Sequence, residues 1–383
     1  MCLVERLTEK DYDEALAVLN ESFTKDGQPA DFVKNLPIMW TRERNYMERH
    51  FGVREGGKLV AILGVYPLEV SIAGHTLLFA TMGNIGTVPA ARGKGYMKQL
   101  LDAGMRELDR LNVDVARLGG LRSRYNRFGF DHAGTQYRFR LTRRNAQEKA
   151  SGQIYAFRRI EADDREAVAF ARRCQQRSGI HAVRPTHTDF FMSMRAWDHW
   201  PYLALDEKGH PAGYLCVSQD GSSIAETGVR EDTEAFDVLA SFLMQGEAES
   251  LSIAMMPADT FMTQKMIRCC ESWSIGTPSM FRFVHWDRIL DALLALRCQK
   301  PCIPGTAVIA IEGYGALEMT VCPDGASKVC RTDAPAQVTL SPVQAGQCLM
   351  GPFGPEAAPD QEWPAVLSAW LPLPMSWNGQ DRV

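Results

Sequence analysis

The stretch Thr87-Val-Pro-Ala-Ala-Arg-Gly-Lys-Gly-Tyr-Met-Lys-Gln-Leu-Leu101 sets two glycines and two cations between a strand-like run and a strongly helical one. The first amides of a helix have no acceptors inside the helix and lie at the positive end of its dipole. Gly93 and Gly95 remove the Cβ atoms that would hold an anion away, and Arg92 and Lys94 add charge beside it. The order predicted is strand, phosphate-binding turn, helix. The spacing is neither the GxxxxGK[ST] of a P-loop nor the GxGxxG of a dinucleotide fold, which disfavours nucleoside triphosphates and NAD. A solvated turn that only caps a helix would use the same glycines.

Around this turn the apolar pattern predicts a first α+β domain. Thr8–Phe23 reads as a helix with Tyr12, Leu16, Leu19 and Phe23 along one face. Strands follow at Leu59–Leu68, Val70–Phe79 (bent at Ala73-Gly74) and Ala80–Val88, then a helix over Gly95–Leu111 and a strand at Val113–Leu118. The polar run Thr142–Gly152 reads as a linker. Beyond it, helices at Glu161–Gln176 and Asp232–Gly246 flank strands at Tyr202–Leu205 and Gly213–Ser218, repeating the first region's order without its glycine loop. After Met280 come one helix, Trp286–Leu296, β-branched segments at Ala307–Ile311 and Leu317–Cys322, and a Pro-rich tail, read as a third domain.

The 383 residues are too many for one ordinary domain. With 42 basic against 46 acidic side chains, the net charge of -4 disfavours a nucleic-acid binder working through a bulk positive field. Ten scattered cysteines form no zinc-ribbon spacing and no secretory core follows Met1, so free thiols in a reducing cytoplasm are expected. No apolar run approaches the ~20 residues of a membrane span, so no membrane is expected as partner. His181, His187 and Asp189 place no two ligands one helical turn apart, and no metal is expected.

Arg92-Gly-Lys-Gly-Tyr-Met97 resembles the Arg/Gln-x-x-Gly-x-Gly/Ala loop that binds acetyl-CoA in the GNAT acyltransferase superfamily, with Met97 in place of the final small residue. Gly83–Pro89 is similar to the strand that splays from its neighbour in that superfamily. Arg124-Tyr-Asn-Arg-Phe-Gly-Phe130 resembles a segment of its enhanced-intracellular-survival (Eis) branch. The resemblance implies an α+β fold: two tandem GNAT-like α/β domains (1–145, and a cofactor-free 152–284) followed by a sterol-carrier-like α+β domain (285–383). It also implies acetyl-CoA as cosubstrate, a homo-oligomer such as a hexamer, and a small polycationic acceptor amine of the aminoglycoside kind.

Carried over residue by residue, the resemblance implies Tyr125 as general acid and the terminal carboxylate of Val383 as proton acceptor, with Asp381 as substitute. Cofactor contacts fall on Ile85, Gly86, Thr87, Arg92, Gly93, Lys94, Gly95, Tyr96, Met97, Lys98, Gly120 and Leu121. Read from the sequence itself, Phe23, Asp26 and Trp40, near Asp31 and Phe32, are either an acceptor wall or ordinary surface acids beside core aromatics. The run Arg117, Arg122, Arg124 and Arg127 is either a contact to the 3′-phosphate of CoA or a solvated rim. Two rivals stay open: a CoA- or lipid-binding sensor without catalysis, and a transferase using aminoacyl-tRNA.

Overall fold

The computed structural model describes residues 4–42, 46–257 and 260–382. In chain order, the first stretch carries β1 (Val4–Arg6), α1 (Tyr12–Ser22), α2 (Phe32–Asn35), β2 (His50–Glu55), β3 (Lys58–Ile72), β4 (His75–Thr87), α3 (Tyr96–Leu111), β5 (Val115–Leu118), α4 (Arg122–Tyr125) and β6 (Asp131–Ala133). The second carries β7 (Gln136–Thr142), α5 (Arg143–Lys149), β8 (Ala156–Arg159), α6 (Arg165–Gln176), β9 (Ile180–Ala182), α7 (His187–Met194), β10 (His199–Leu205), β11 (Pro211–Ser218), β12 (Ser223–Val229), α8 (Ala235–Gln245), β13 (Ser250–Met255), α9 (Thr260–Cys269) and β14 (Ser272–Gly276). The third carries β15 (Ser279–Phe283), α10 (Trp286–Arg297), β16 (Gly305–Ile311), β17 (Gly315–Val321), β18 (Ser327–Thr332), β19 (Val338–Leu340), α11 (Pro342–Met350) and α12 (Ala365–Trp370).

Where three strands were predicted over residues 59–88 there are two long ones. Ala73 and Gly74 both take positive φ, 48° and 87°, and close a two-residue hairpin instead of bending one strand. The expected linker at 142–152 is α5: Thr142 caps it, accepting from the Asn145 amide, and Asn145 answers with a reciprocal box. The helix predicted from Gly95 forms because no β-branched residue interrupts Tyr96–Leu111, and Asn112 at φ 53° ends it.

Three sheets result. The first runs β1-β2-β3-β4-β5-β15-β6 with β9 added on β3, the second β14-β7-β13-β12-β11-β10-β8, the third β18-β17-β16-β19. The first two share a plan: all neighbours are antiparallel except one central parallel pair, β4/β5 in one and β12/β13 in the other. They also trade a strand. β7, next in the chain after β6, lies between β14 and β13 of the second sheet, while β15, next after β14, lies between β5 and β6 of the first. One core joins the outer halves of β3 and β4 to α10, the third sheet and the tail residues Leu373, Met375 and Trp377. No helix among the described residues is long and apolar enough to cross a membrane.

Candidate active site

β4 and β5 pair in parallel only from Phe79↔Val115 to Met82↔Leu118. β5 then ends while β4 continues to Thr87, so the two strands part. The amide of Val88 donates to the Val60 carbonyl on β3 at 3.0 Å. Alternation along the strand then turns the polar groups of Gly86 toward β3 and those of Ile85 and Thr87 into the gap. An extended amide-containing chain laid there would pair with Ile85 and Thr87. Gly86 serves a different need: a Cβ there would meet Ser22 Oγ at 2.9 Å, because α1 packs directly on the strand.

The gap leads to the start of α3. Gly93 and Gly95 hold φ values of 81° and 80°, and no atom lies within 4 Å of where their Cβ atoms would be. The turn therefore needs glycine for its backbone and presents bare main chain to open space. Arg92 folds back, donating from Nη2 to the Ser22 carbonyl at 3.0 Å and from Nε to that of Thr87 at 3.3 Å. Lys94 pairs with Glu55 at 2.6 Å, where Tyr96 also reaches at 3.4 Å, and Lys98 pairs with Asp102 at 2.8 Å. Met97 packs against the core under the helix. The bare turn, the helix entrance and the two inward amides fit a pantetheine arm ending in a diphosphate.

Below the other lip of the gap, Gly119 and Gly120 follow β5, and Tyr125 ends α4. Gly120, at φ 122°, lies so close to Tyr125 that a Cβ would meet its Cε2 at 3.0 Å. Tyr125 is buried among Leu118, Leu100, Phe130 and Met280, and burial pushes its phenol upward, with Arg124 opposing. Leu121 is exposed. Phe23 is half exposed and meets Phe32 edge-on at 5.3 Å; Asp26 turns the exposed loop between them with φ 50°. Asp31 caps α2 by accepting from the Lys34 amide. Trp40 is 1% exposed and lies between Tyr12 and His50.

That histidine begins a buried relay invisible in the sequence. His50 Nδ1 donates to the Tyr46 carbonyl at 2.9 Å, which leaves Nε2 to accept from the Tyr66 hydroxyl at 2.6 Å. The Asn84 side-chain amide donates in turn to Tyr66. Asn84 sits at φ 52° where the β3–β4 register slips between Ile62 and Gly64. The relay thus pins a bulge in the strand that lines the gap. Burial pushes His50 down to about 4, so it is neutral at ordinary pH.

Arg117, read as a phosphate contact or a solvated rim, is neither: it is 3% exposed, donates to Ser279 Oγ at 2.9 Å, and stands over the Trp377 ring at 5.8 Å. Burial and the Arg382 guanidinium push it down to about 9. Arg122 instead forms a two-pronged pair with Asp131 at 2.7 and 2.9 Å. The tail therefore reaches the first sheet, with Trp377 stacked on Phe79 of β4 at 5.5 Å. Val383 lies outside the described residues. Asp381 is bound to Arg184 at 3.0 and 3.1 Å. His181 and His187 are occupied locally, by the carbonyls of Ser178 and Ala162, and Asp189 belongs to a capping box.

The second sheet has its own parting strands, for β12 and β13 pair only at Ser223↔Ser252 and Ile224↔Ile253. No glycine loop follows β12. Glu231 and Glu234 form a capping box there, Arg230 binds Glu234, and Arg177 binds Asp232, so acids stand where a diphosphate would need cations. A cavity of about 620 Å³ opens on this side, bounded by Thr227, Met262, Leu296 and the tail from Leu371.

Residues 4–133 match the family model of an acetyltransferase (GNAT) domain. The chain carries a GNAT acetyltransferase domain. Its matched span stops where the backbone crosses to the second sheet at β7. Crystal structures of similar fold span nearly the whole chain. A GCN5-related N-acetyltransferase from Kribbella flavida is 17% identical, covers 100% of this chain and 98% of its own, and superposes with a TM-score of 0.68. One from Anabaena variabilis is 14% identical over 99% and 98%, at 0.67. Eis1 from Mycobacterium abscessus is 17% identical over 99% and 98%, at 0.65. No curated protein matches the sequence.

Proposed function

We propose that the chain is an acetyl-CoA-dependent N-acetyltransferase acting on a small amine, with its chemistry in the β4/β5 gap. The observation carrying this is the continuity of the inward amides of Ile85 and Thr87 with the bare Gly93–Gly95 turn and the entrance of α3. When bound there, acetyl-CoA supplies an activated thioester. Direct transfer forms a carbon–nitrogen bond and breaks a carbon–sulfur bond, so one proton must leave the amine and one must reach the departing sulfur. Tyr125 is the donor for the second. Its phenol, raised by burial, stays protonated at neutral pH and lies under the lip of the gap.

Asp381 is committed to Arg184 and is not assigned the first proton. The acceptor enters beside Phe23 and Asp26, whose exposed aromatic edge and carboxylate suit a cationic amine of the aminoglycoside class. The second unit serves as a cofactor-free partner, consistent with its acid-capped loop. The four-stranded sheet is assigned a sterol-carrier-like fold, and the chain a homo-oligomeric, cytoplasmic life. The test is thiol release from acetyl-CoA across a panel of mono- and polyamines, with calorimetric binding of CoA alongside. Turnover with polyamines is expected. CoA binding without turnover on any amine would favour the second reading, a CoA- or lipid-binding sensor, which the separate 620 Å³ cavity supports.

A further inference from the structure

The cavity of about 620 Å³ beside β12 lies within the range of small-ligand sites, roughly 300–1,000 Å³. One of its walls is a strand edge. After Ile224 the strand β12 parts from β13 and runs on to Val229. The Arg230 amide donates to the Ala212 carbonyl on β11 at 2.7 Å. Alternation then turns the polar backbone groups of Gly228 toward β11 and those of Thr227 and Val229 toward the cavity, which both residues line. The Val229 carbonyl is already taken, accepting from Arg177 Nη1 at 2.8 Å. The Thr227 carbonyl and the Val229 amide face the cavity as one acceptor and one donor on either side of Gly228. In a parallel ladder a residue donates to the carbonyl before its partner and accepts from the amide after it. A single residue of an added chain, set opposite Gly228, would bond to both.

The two faces of this edge differ in chemistry. Leu215 and Val217 of β11 belong to the core under α8, and Tyr214 and Cys216 to the core under α6, so the two helices cover opposite faces of the sheet. On the α8 face the cavity meets Ala235 and Met262, which are apolar. On the α6 face it meets Gln175, Ser178 and, from β9, His181. His181 Nδ1 donates to the Ser178 carbonyl at 3.1 Å, which leaves Nε2 as an acceptor. Side chains of an added strand alternate between two such faces, one apolar and one polar.

Other occupants fit less well. Glu231, Asp232 and Glu234 stand at the entrance of α8 and outnumber Arg177 and Arg230, the cations paired with them, so a diphosphate is repelled. An alkyl chain would strip water from the Thr227 carbonyl and the Val229 amide and give neither a partner. We propose that the β12/β13 gap is a binding site for a short extended peptide, which adds to β12 in parallel and alternates polar with apolar side chains. The site is separate from the β4/β5 gap and stands whether or not acetyl transfer occurs there.

The test uses the full chain and the peptide acetyl-Ser-Leu-Ser-Leu amide, whose acetyl cap keeps it from serving as an acceptor amine. Saturable binding at one site per chain is expected by calorimetry. With peptide bound, hydrogen exchange at the Val229 amide should slow at least about threefold, because that amide gains a partner. The same peptide N-methylated on every residue keeps its side chains and loses its backbone donors, and should bind at least about tenfold more weakly. Val229→Pro removes the donor on the protein's side without taking a bond from the β11 ladder, and should weaken the unmethylated peptide about fivefold or more. No binding of the peptide would overturn the proposal, as would equal affinities for its two forms or binding that leaves exchange at 227–229 unchanged. Slower exchange there with decanoate or CoA but not with the peptide would also overturn it, making the gap a lipid pocket or a cofactor seat. Should Val229→Pro not fold, the methylated peptide and the exchange of the parent chain decide. With no acetyl-CoA and no acceptor amine in the experiment, its failure leaves the acetyltransferase reading untouched.

Discussion

A phenol that is to give up a proton must hold one beforehand, and the burial of Tyr125 does that without a hydrogen-bonded neighbour having to. Tyr125→Phe keeps the ring against Gly120 and removes only the hydroxyl. We expect kcat to fall by about 10²-fold or more with CoA affinity unchanged by calorimetry. A variant within twofold of the parent would remove the phenol from the reaction. His50 makes a prediction about stability instead. Its folded value near 4 lies below the ordinary 6.5, so the unfolded chain takes up the proton first as pH falls. The contribution is fully present above about 6.5 and is lost on the way down to about 4, roughly 3 kcal/mol in all. Urea unfolding at pH 7.5, 6.0 and 4.5 should show that slope in the parent, and a flatter one in His50→Gln. Equal slopes would mean that the imidazole is not held neutral.

At the scale of elements, what the sequence shows depends on whether a signal is local. α3 is readable almost to its ends because a run without β-branched residues, a glycine entrance and an αL asparagine exit all lie within it. The hairpin at Ala73-Gly74 was misread because an alanine at positive φ is not what a residue type predicts. The relay of His50, Tyr66 and Asn84 had no signal at all: its members lie 16 and 18 residues apart and meet only once β2, β3 and β4 are paired. For the turn itself, two substitutions separate strain from charge. Gly95→Ala must hold an L-residue at φ 80°, at a cost of about 1–2 kcal/mol, and should lower the melting temperature with a modest loss of CoA affinity. Gly95→Glu carries the same strain and adds a carboxylate at the helix entrance. It should bind CoA at least about tenfold more weakly than the alanine variant, read by calorimetry. Equal affinities for the two would mean that the diphosphate lies elsewhere.

For the whole molecule, the decisive feature is the exchange of β7 and β15, which no strand pattern encodes because alternation fixes a face and not a partner. The family match over residues 4–133 ends at this crossing, yet the sheet it begins is completed only by residues 279–283. A fragment of residues 1–145 would keep β7 with nothing to pair it and would leave β5 and β6 facing each other across a missing strand. Open edges on both, and the outer halves of β3 and β4 stripped of α10 and the tail, expose backbone donors together with Val70, Leu77 and Phe79. We expect this fragment alone to aggregate on size-exclusion chromatography and to show no cooperative melt by near-ultraviolet circular dichroism. Co-expression with residues 146–383 should restore a soluble complex, because that piece carries β15 and the partners of β7. A monomeric 1–145 fragment with a sharp transition would show that the first sheet closes without the strand it borrows, and that the gap between β4 and β5 is built by the first domain alone.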